Sequence, residues 1–134
     1  MKSGSVFIGI GKIWLEIPGC RSLKEKRGVL KPLLSHLREK FQVSVSEIGH
    51  HDSHQRAVIG VSILGNQSQH VERYLRTVVE SLLNARKARL VDCKTEILNA
   101  GSVDRAPEFN PVDDAVLRSV EENWIAGDED GETG

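Results

Sequence analysis

Residues 50–54, His-His-Asp-Ser-His, place three imidazoles and a carboxylate in five positions. These are residue types that ligate transition metals or move protons. A metal site needs three or four ligands converging on one point, with further groups orienting the imidazoles. In a short connection between antiparallel strands consecutive side chains diverge, and His36 and His70 belong to other segments. Ser53 is the nearest nucleophile type, with no base positioned beside it by spacing. The expectation is therefore a polar hairpin tip, with no metal, no cofactor and no catalytic residue. Asp52 and Ser53 suit the turn because their side chains bond nearby backbone. Glu47 and Arg56 are expected to face each other as an ion pair across the strands. A metal-binding or catalytic hairpin stands as the least supported alternative.

A second pattern points to polyanions. Lys24, Lys31 and Arg38 repeat every seven residues, Arg27 falls beside them on a helical wheel, and Arg21 precedes the helix. Such a row can follow backbone phosphates, while a helix start favours an anion through its free N–H groups and dipole. Residues 1–100 hold 16 basic and 9 acidic side chains, whereas residues 101–134 hold 2 and 10. A basic body with an acidic tail fits a nucleic-acid partner for the body, the tail acting as solvating segment or competitor. Aromatic residues are scarce, and Phe7 and Trp14 fall on opposite faces of one strand. A base-stacking sheet is therefore not expected.

These residues must be positioned by a small fold. Residues 5–17 alternate as a strand, with Phe7, Ile13, Leu15 and Ile17 on one face and Val6, Ile8, Ile10 and Trp14 on the other. "GIGK" at 9–12 lies inside this strand, so its glycines suit close packing by a helix rather than phosphate binding. Ser22 and Glu25 have capping-box spacing for a helix over about 23–41, whose leucines share one face. Pro32 and Gly28 fall on the opposite face, which predicts an outward kink. Strands follow at 42–49 and 56–64, then a helix to about 86 capped by Asn66 or Ser68, then a strand from "ARLVDCKTEIL". The order predicts a ferredoxin-like βαββαβ α+β sandwich, a four-stranded antiparallel sheet with two helices on one face. The domain spans 1–100; an acidic extension over 101–134 is expected to hold a short amphipathic helix at about 111–125.

The segment 17–64 resembles the YlxP-like family of small bacterial proteins of unknown function. The resemblance rests on "SLKEKR" at 22–27 and on an E-x-G-x-x-D-x-x-Q-R-A motif, here Glu47, Gly49, Asp52, Gln55, Arg56 and Ala57. It implies the same ferredoxin-like fold. It also implies an RNA or ribosome setting, because members tend to be encoded near translation-initiation and ribosome-maturation genes, ribosome-binding factor A among them. It makes Glu47, Asp52, Gln55 and Arg56 candidates for recognition or an interface.

The reading is thus a cytoplasmic, non-enzymatic accessory protein that contacts RNA or a ribosomal particle through Arg21, Lys24, Arg27, Lys31 and Arg38. The rival is a protein-interaction module. Val6, Ile8, Ile10 and Trp14 form an apolar face that suits a homodimer, or that Trp124 and the C-terminal helix could cover instead. Neither a membrane span nor a small-molecule ligand is indicated. Cys20 and Cys93 read as small residues in or near the core, with no activating neighbour.

Overall fold

Residues 4–102, 115 and 118–123 are described by a computed structural model of the chain. The first strand, β1 (Ser5–Glu16), leads through a turn into helix α1 (Leu23–Lys40). The hairpin β2 (Ser44–Gly49) and β3 (Arg56–Gly65) follows, then helix α2 (Ser68–Ser81), a single 3₁₀ turn (Leu82–Asn84) and β4 (Arg89–Ser102). The sheet order is β2-β3-β1-β4 with every neighbouring pair antiparallel. This is the ferredoxin-like arrangement expected from the element order. The backbone divides into two units, Met1–Asp104 and Arg105–Gly134. In the second, residues 115 and 118–123 are helical and exposed; Trp124 lies outside the described residues.

Alternation in β1 and β3 sets the two faces of the sheet. Ile13 pairs with Ile59, Leu15 with Ala57 and Gly11 with Val61, all buried on the helix side. Burying one such aliphatic side chain is worth about 1.5–3 kcal/mol, so these central pairs with Leu37, Leu75 and Val78 carry much of the stability. The glycines of β1 and β3 let α2 approach. A methyl at Gly9 would lie 2.5 Å from Val71 Cγ1, and one at Gly65 would lie 2.6 Å from Val71 Cγ2. Val71 is seated between two positions that tolerate no side chain.

Helix α1 packs along β2, and α2 covers β1, β3 and part of β4. The two helices meet where the Phe41 and Tyr74 rings stand edge to face, 5.9 Å apart. There the Gln42 N–H donates to the Tyr74 hydroxyl at 3.0 Å. Helix α1 runs unbroken through Pro32, and both Pro32 and Gly28 are exposed. The carbonyl left without a donor is thus on the side where water can reach it. Three boundaries differ from expectation. The α2 cap is Gln67, which makes no side-chain bond, and not Asn66 or Ser68. The helix tightens to 3₁₀ after Ser81, which lets Leu82 turn into the core. Strand β2 begins at Ser44, because Phe41 already caps α1 and its N–H bonds the Leu37 carbonyl at 2.9 Å. Among the described residues no helix is long and apolar enough to cross a membrane.

Candidate functional site

The residue that organises the site is one the helical pattern had hidden. Lys26 lies on the buried face of α1 in line with Leu30 and Leu37, and its side chain is only 2% exposed. Its Nζ sits 2.9 Å from Glu47 Oε2 and donates to the carbonyl oxygens of His50 at 2.7 Å and Ser53 at 2.8 Å. An ammonium has three protons and meets three oxygens here. Burying a charge is tolerable only when it is matched in this way. The Glu47 contact is an ion pair without hydrogen-bond alignment, and no other donor among the described residues reaches that buried oxygen.

This geometry corrects the pairing expected across the hairpin. Glu47 lies opposite Ile59 in the β2–β3 ladder, and the register slips between Glu47 and Gly49. By alternation Glu47 points to the helix side with Val45, while Ile48 turns outward over Gly60. Arg56 lies beyond the last β2 pair and stands opposite Glu16 of β1. No Glu47–Arg56 ion pair forms.

The hairpin tip is tied to the turn before α1. The Gln55 side chain donates to the Cys20 carbonyl at 3.3 Å, and the Ile17 N–H donates to the Gln55 carbonyl at 2.7 Å. His50 adopts a φ of 57°, a left-handed conformation uncommon outside glycine, though histidine enters it more often than most residues. Its carbonyl accepts from Lys26 and from the Ser53 N–H at 3.0 Å, which holds that conformation. The turn is therefore fixed by backbone and lysine; the exposed Asp52 forms no bond to other described residues. The two sequence motifs are parts of one construction.

The helix cap also differs in one bond. The Glu25 N–H donates to Ser22 Oγ at 3.1 Å, but Glu25 Oε2 accepts from the Arg21 N–H at 2.6 Å instead of from Ser22. The helix start already holds a carboxylate, so Arg21 is less suited to gather an anion there than its position implied. Lys24, Arg27 and Lys31 are exposed and form no ion pair with other described residues. Arg38 departs from that row, because its Nη2 donates to the Val45 carbonyl of β2 at 2.8 Å.

Topology adds cations that linear spacing did not connect. Glu16, Arg56 and Arg89 are register partners at one end of the sheet. The turns at 17–22, 50–55 and 85–88 therefore lie at that end of the sheet, which carries Arg21, Lys24, Arg56, Arg86, Lys87 and Arg89. Of these, Arg89 is neutralised by Glu16 at 2.9 Å. No group of three His, Cys, Asp or Glu side chains that could hold a metal occurs among the described residues. Burial raises the Cys93 thiol above its ordinary range, and the Asp92 carboxylate adds to the rise, so this cysteine is not activated.

The other face of the sheet is apolar. Val6, Ile8, Ile10 and Trp14 of β1 are half-buried, while Ile48, Leu64 and Leu98 are exposed, Leu64 by 72%. The Lys94 ammonium lies over the Trp14 ring, 5.9 Å from its centroid.

Two comparisons bear on this arrangement. The family model described as "Protein of unknown function (DUF503)" matches residues 8–95. A Bacillus subtilis (strain 168) protein described as "Uncharacterized protein YlxP" is 39% identical over 72 residues, 54% of this chain and 78% of that protein. The matched family segment spans Lys26, Glu47 and the hairpin they join, and the chain belongs to this YlxP-like family of unknown function.

Proposed function

We propose that this protein is a cytoplasmic, non-enzymatic accessory factor that holds RNA, free or in a ribosomal particle, by its phosphate backbone. The observation that carries the reading is the row Lys24, Arg27 and Lys31, exposed along α1 with no acidic partner among the described residues. Three nearby acids are engaged elsewhere, Glu25 by the Arg21 N–H, Glu47 by Lys26 and Glu16 by Arg89, while Asp52 and Glu39 form no ion pair with the row. Arg86 and Lys87 extend the positive surface at the same end of the sheet. A surplus of cations on one end attracts polyanions without reading sequence.

Salt dependence tests this directly. About four phosphate contacts give a log–log slope of about −3 to −4 for RNA binding. Changing Lys24 and Lys31 together to Gln should flatten that slope by roughly 1.5. An unchanged slope removes α1 from the interface.

A second reading is favoured by the apolar sheet face, which suits a second copy of the chain. Lys12, between Ile10 and Trp14, and its register partner Lys94 cross this face, with Asp92 and Glu96 beside them on β4, a mixture of signs that can match itself about a twofold axis. Sedimentation equilibrium of Leu64→Asp beside the parent chain tests it. A dimer converted to monomer supports this face; an identical mass for both variants excludes it.

A further inference from the structure

At the basic end, where the apolar face meets the hairpin, a cleft of about 260 Å³ is lined by Trp14, Leu15, Glu16, His50, Arg56 and Val91. It is smaller than the roughly 300–1,000 Å³ typical of sites for drug-sized ligands, and so suits one planar group. Its chemistry is divided. Trp14 and Val91 supply apolar surface, while Arg56 and His50 bring groups that bind an anion. Glu16 is the one carboxylate in the lining, and its Oε2 is held by Arg89 at 2.9 Å. Arg56, although register partner to Glu16, forms no ion pair among the described residues.

The cleft is also built firmly. Lys94 steadies the Trp14 ring from one side. His50 is carried on backbone at φ 57°, a conformation fixed by the bonds its carbonyl accepts from Lys26 Nζ and the Ser53 N–H. Uncommon backbone held by its surroundings marks places where a side chain has been positioned. The buried lysine shared by both motifs thereby sets one wall of an open cleft on the far side of the hairpin.

We infer that this cleft takes a single unstacked nucleotide of the bound RNA, the base against Trp14 and its phosphate on Arg56 and His50. The inference rests on the RNA reading above and narrows it to strands with at least one free base. A lone aromatic in a cleft differs from a stacking sheet, which would expose several rings on the central strands. The strand would run from the α1 row around the hairpin end into the cleft.

The test uses the full chain with Trp124→Phe, so that tryptophan fluorescence reports Trp14 alone. A 12-nucleotide single-stranded RNA and a 12-base-pair RNA duplex are titrated separately at low salt. The expected result is quenching by the single strand only. Arg56→Gln should weaken single-strand binding about tenfold and leave duplex binding within about twofold, the loss fitting one phosphate contact made only when a base is free. Trp14→Leu should reduce single-strand affinity by a similar factor, on the scale of one base–aromatic stack, without changing the salt slope. Binding of both RNAs without quenching, and with Arg56→Gln equally harmless to each, overturns the cleft while leaving the α1 surface in place. Failure to bind either RNA overturns both readings. Quenching by an acidic peptide but by neither RNA overturns the nucleotide assignment.

Discussion

Lys24 and Lys26 occupy the same turn of α1 and differ in almost every physical respect. Lys24 is exposed and unpaired among the described residues; Lys26 is 2% exposed and meets three oxygens. Two residues along a helix is a rotation of about 200°, enough to move a side chain from the solvent face to the core face. One turn of helix thus supplies both a cation that fixes the hairpin and a cation free to meet a ligand. Residue type alone does not separate the two roles. What separates them is the direction of the side chain and whether an acid on another element has been placed to receive it.

The largest effect is expected at the buried member. Lys26→Met keeps the apolar stem but leaves Glu47 and two carbonyls without their cation, and breaking a buried pair in this way costs about 3–5 kcal/mol. Urea unfolding of the variant should show a midpoint shift of that size, with the slope unchanged. Replacing Glu47 by Leu in the same chain should recover part of the loss, since the unpaired acid is then gone. A neutral Lys26→Met would break the comparison, because it would mean the pair contributes no more than a surface contact.

The contrast also shows what the sequence could disclose. Alternation over Ser5–Glu16 and the leucine spacing of α1 report burial directly, so the βαββαβ order and the helix-facing residues were legible. So was the tight approach of a helix to the β1 glycines, since an absent side chain in an apolar strand needs a neighbour to fill it. Lys26 was not legible, because a lysine among leucines looks like an error in the apolar stripe unless its acceptor is known. That acceptor, Glu47, faces the helix beside a register slip at Ile48, and no spacing rule locates such a slip. The expected Glu47–Arg56 pair fails for a different reason: Glu47 shares the helix side with Val45 opposite Ile59, while Arg56 stands opposite Glu16 on the other face. Two signals were present and could have been joined: an interior lysine in one motif and an acid in the other, with no other obvious partner for either. The placement of Arg86 and Lys87 at the same end of the sheet as the start of α1 depended on the topology, which follows from the fold and not from local pattern.

An intermediate effect should arise at the start of α1, where the two kinds of residue meet. Ser22 Oγ accepts the Glu25 N–H at 3.1 Å, and loss of such a cap typically costs about 1 kcal/mol. Ser22→Ala should therefore destabilise the fold measurably less than Lys26→Met in the same unfolding experiment. A loss as large as that of Lys26→Met would show that the cap, rather than the buried lysine, fixes this end of the helix. The comparison would then have to be redrawn around Glu25, whose carboxylate bonds the Arg21 N–H at 2.6 Å.

The smallest effect on stability is expected from the exposed members. Changing Lys24 and Lys31 together to Gln removes two charges that have no partner among the described residues, and surface changes of this kind usually stay within about 0.5 kcal/mol. Glutamine keeps helix propensity close to that of lysine, so the backbone has no reason to respond. The folded chain should then melt with the parent while its RNA affinity loses salt dependence. That pairing of outcomes is the sharpest form of the contrast. Lys26 would matter for folding before any ligand is present, and Lys24 and Lys31 would matter only once a polyanion is offered. A double variant that unfolds like Lys26→Met would make the whole helix face structural, and any accompanying loss of RNA binding would then follow from the unfolding.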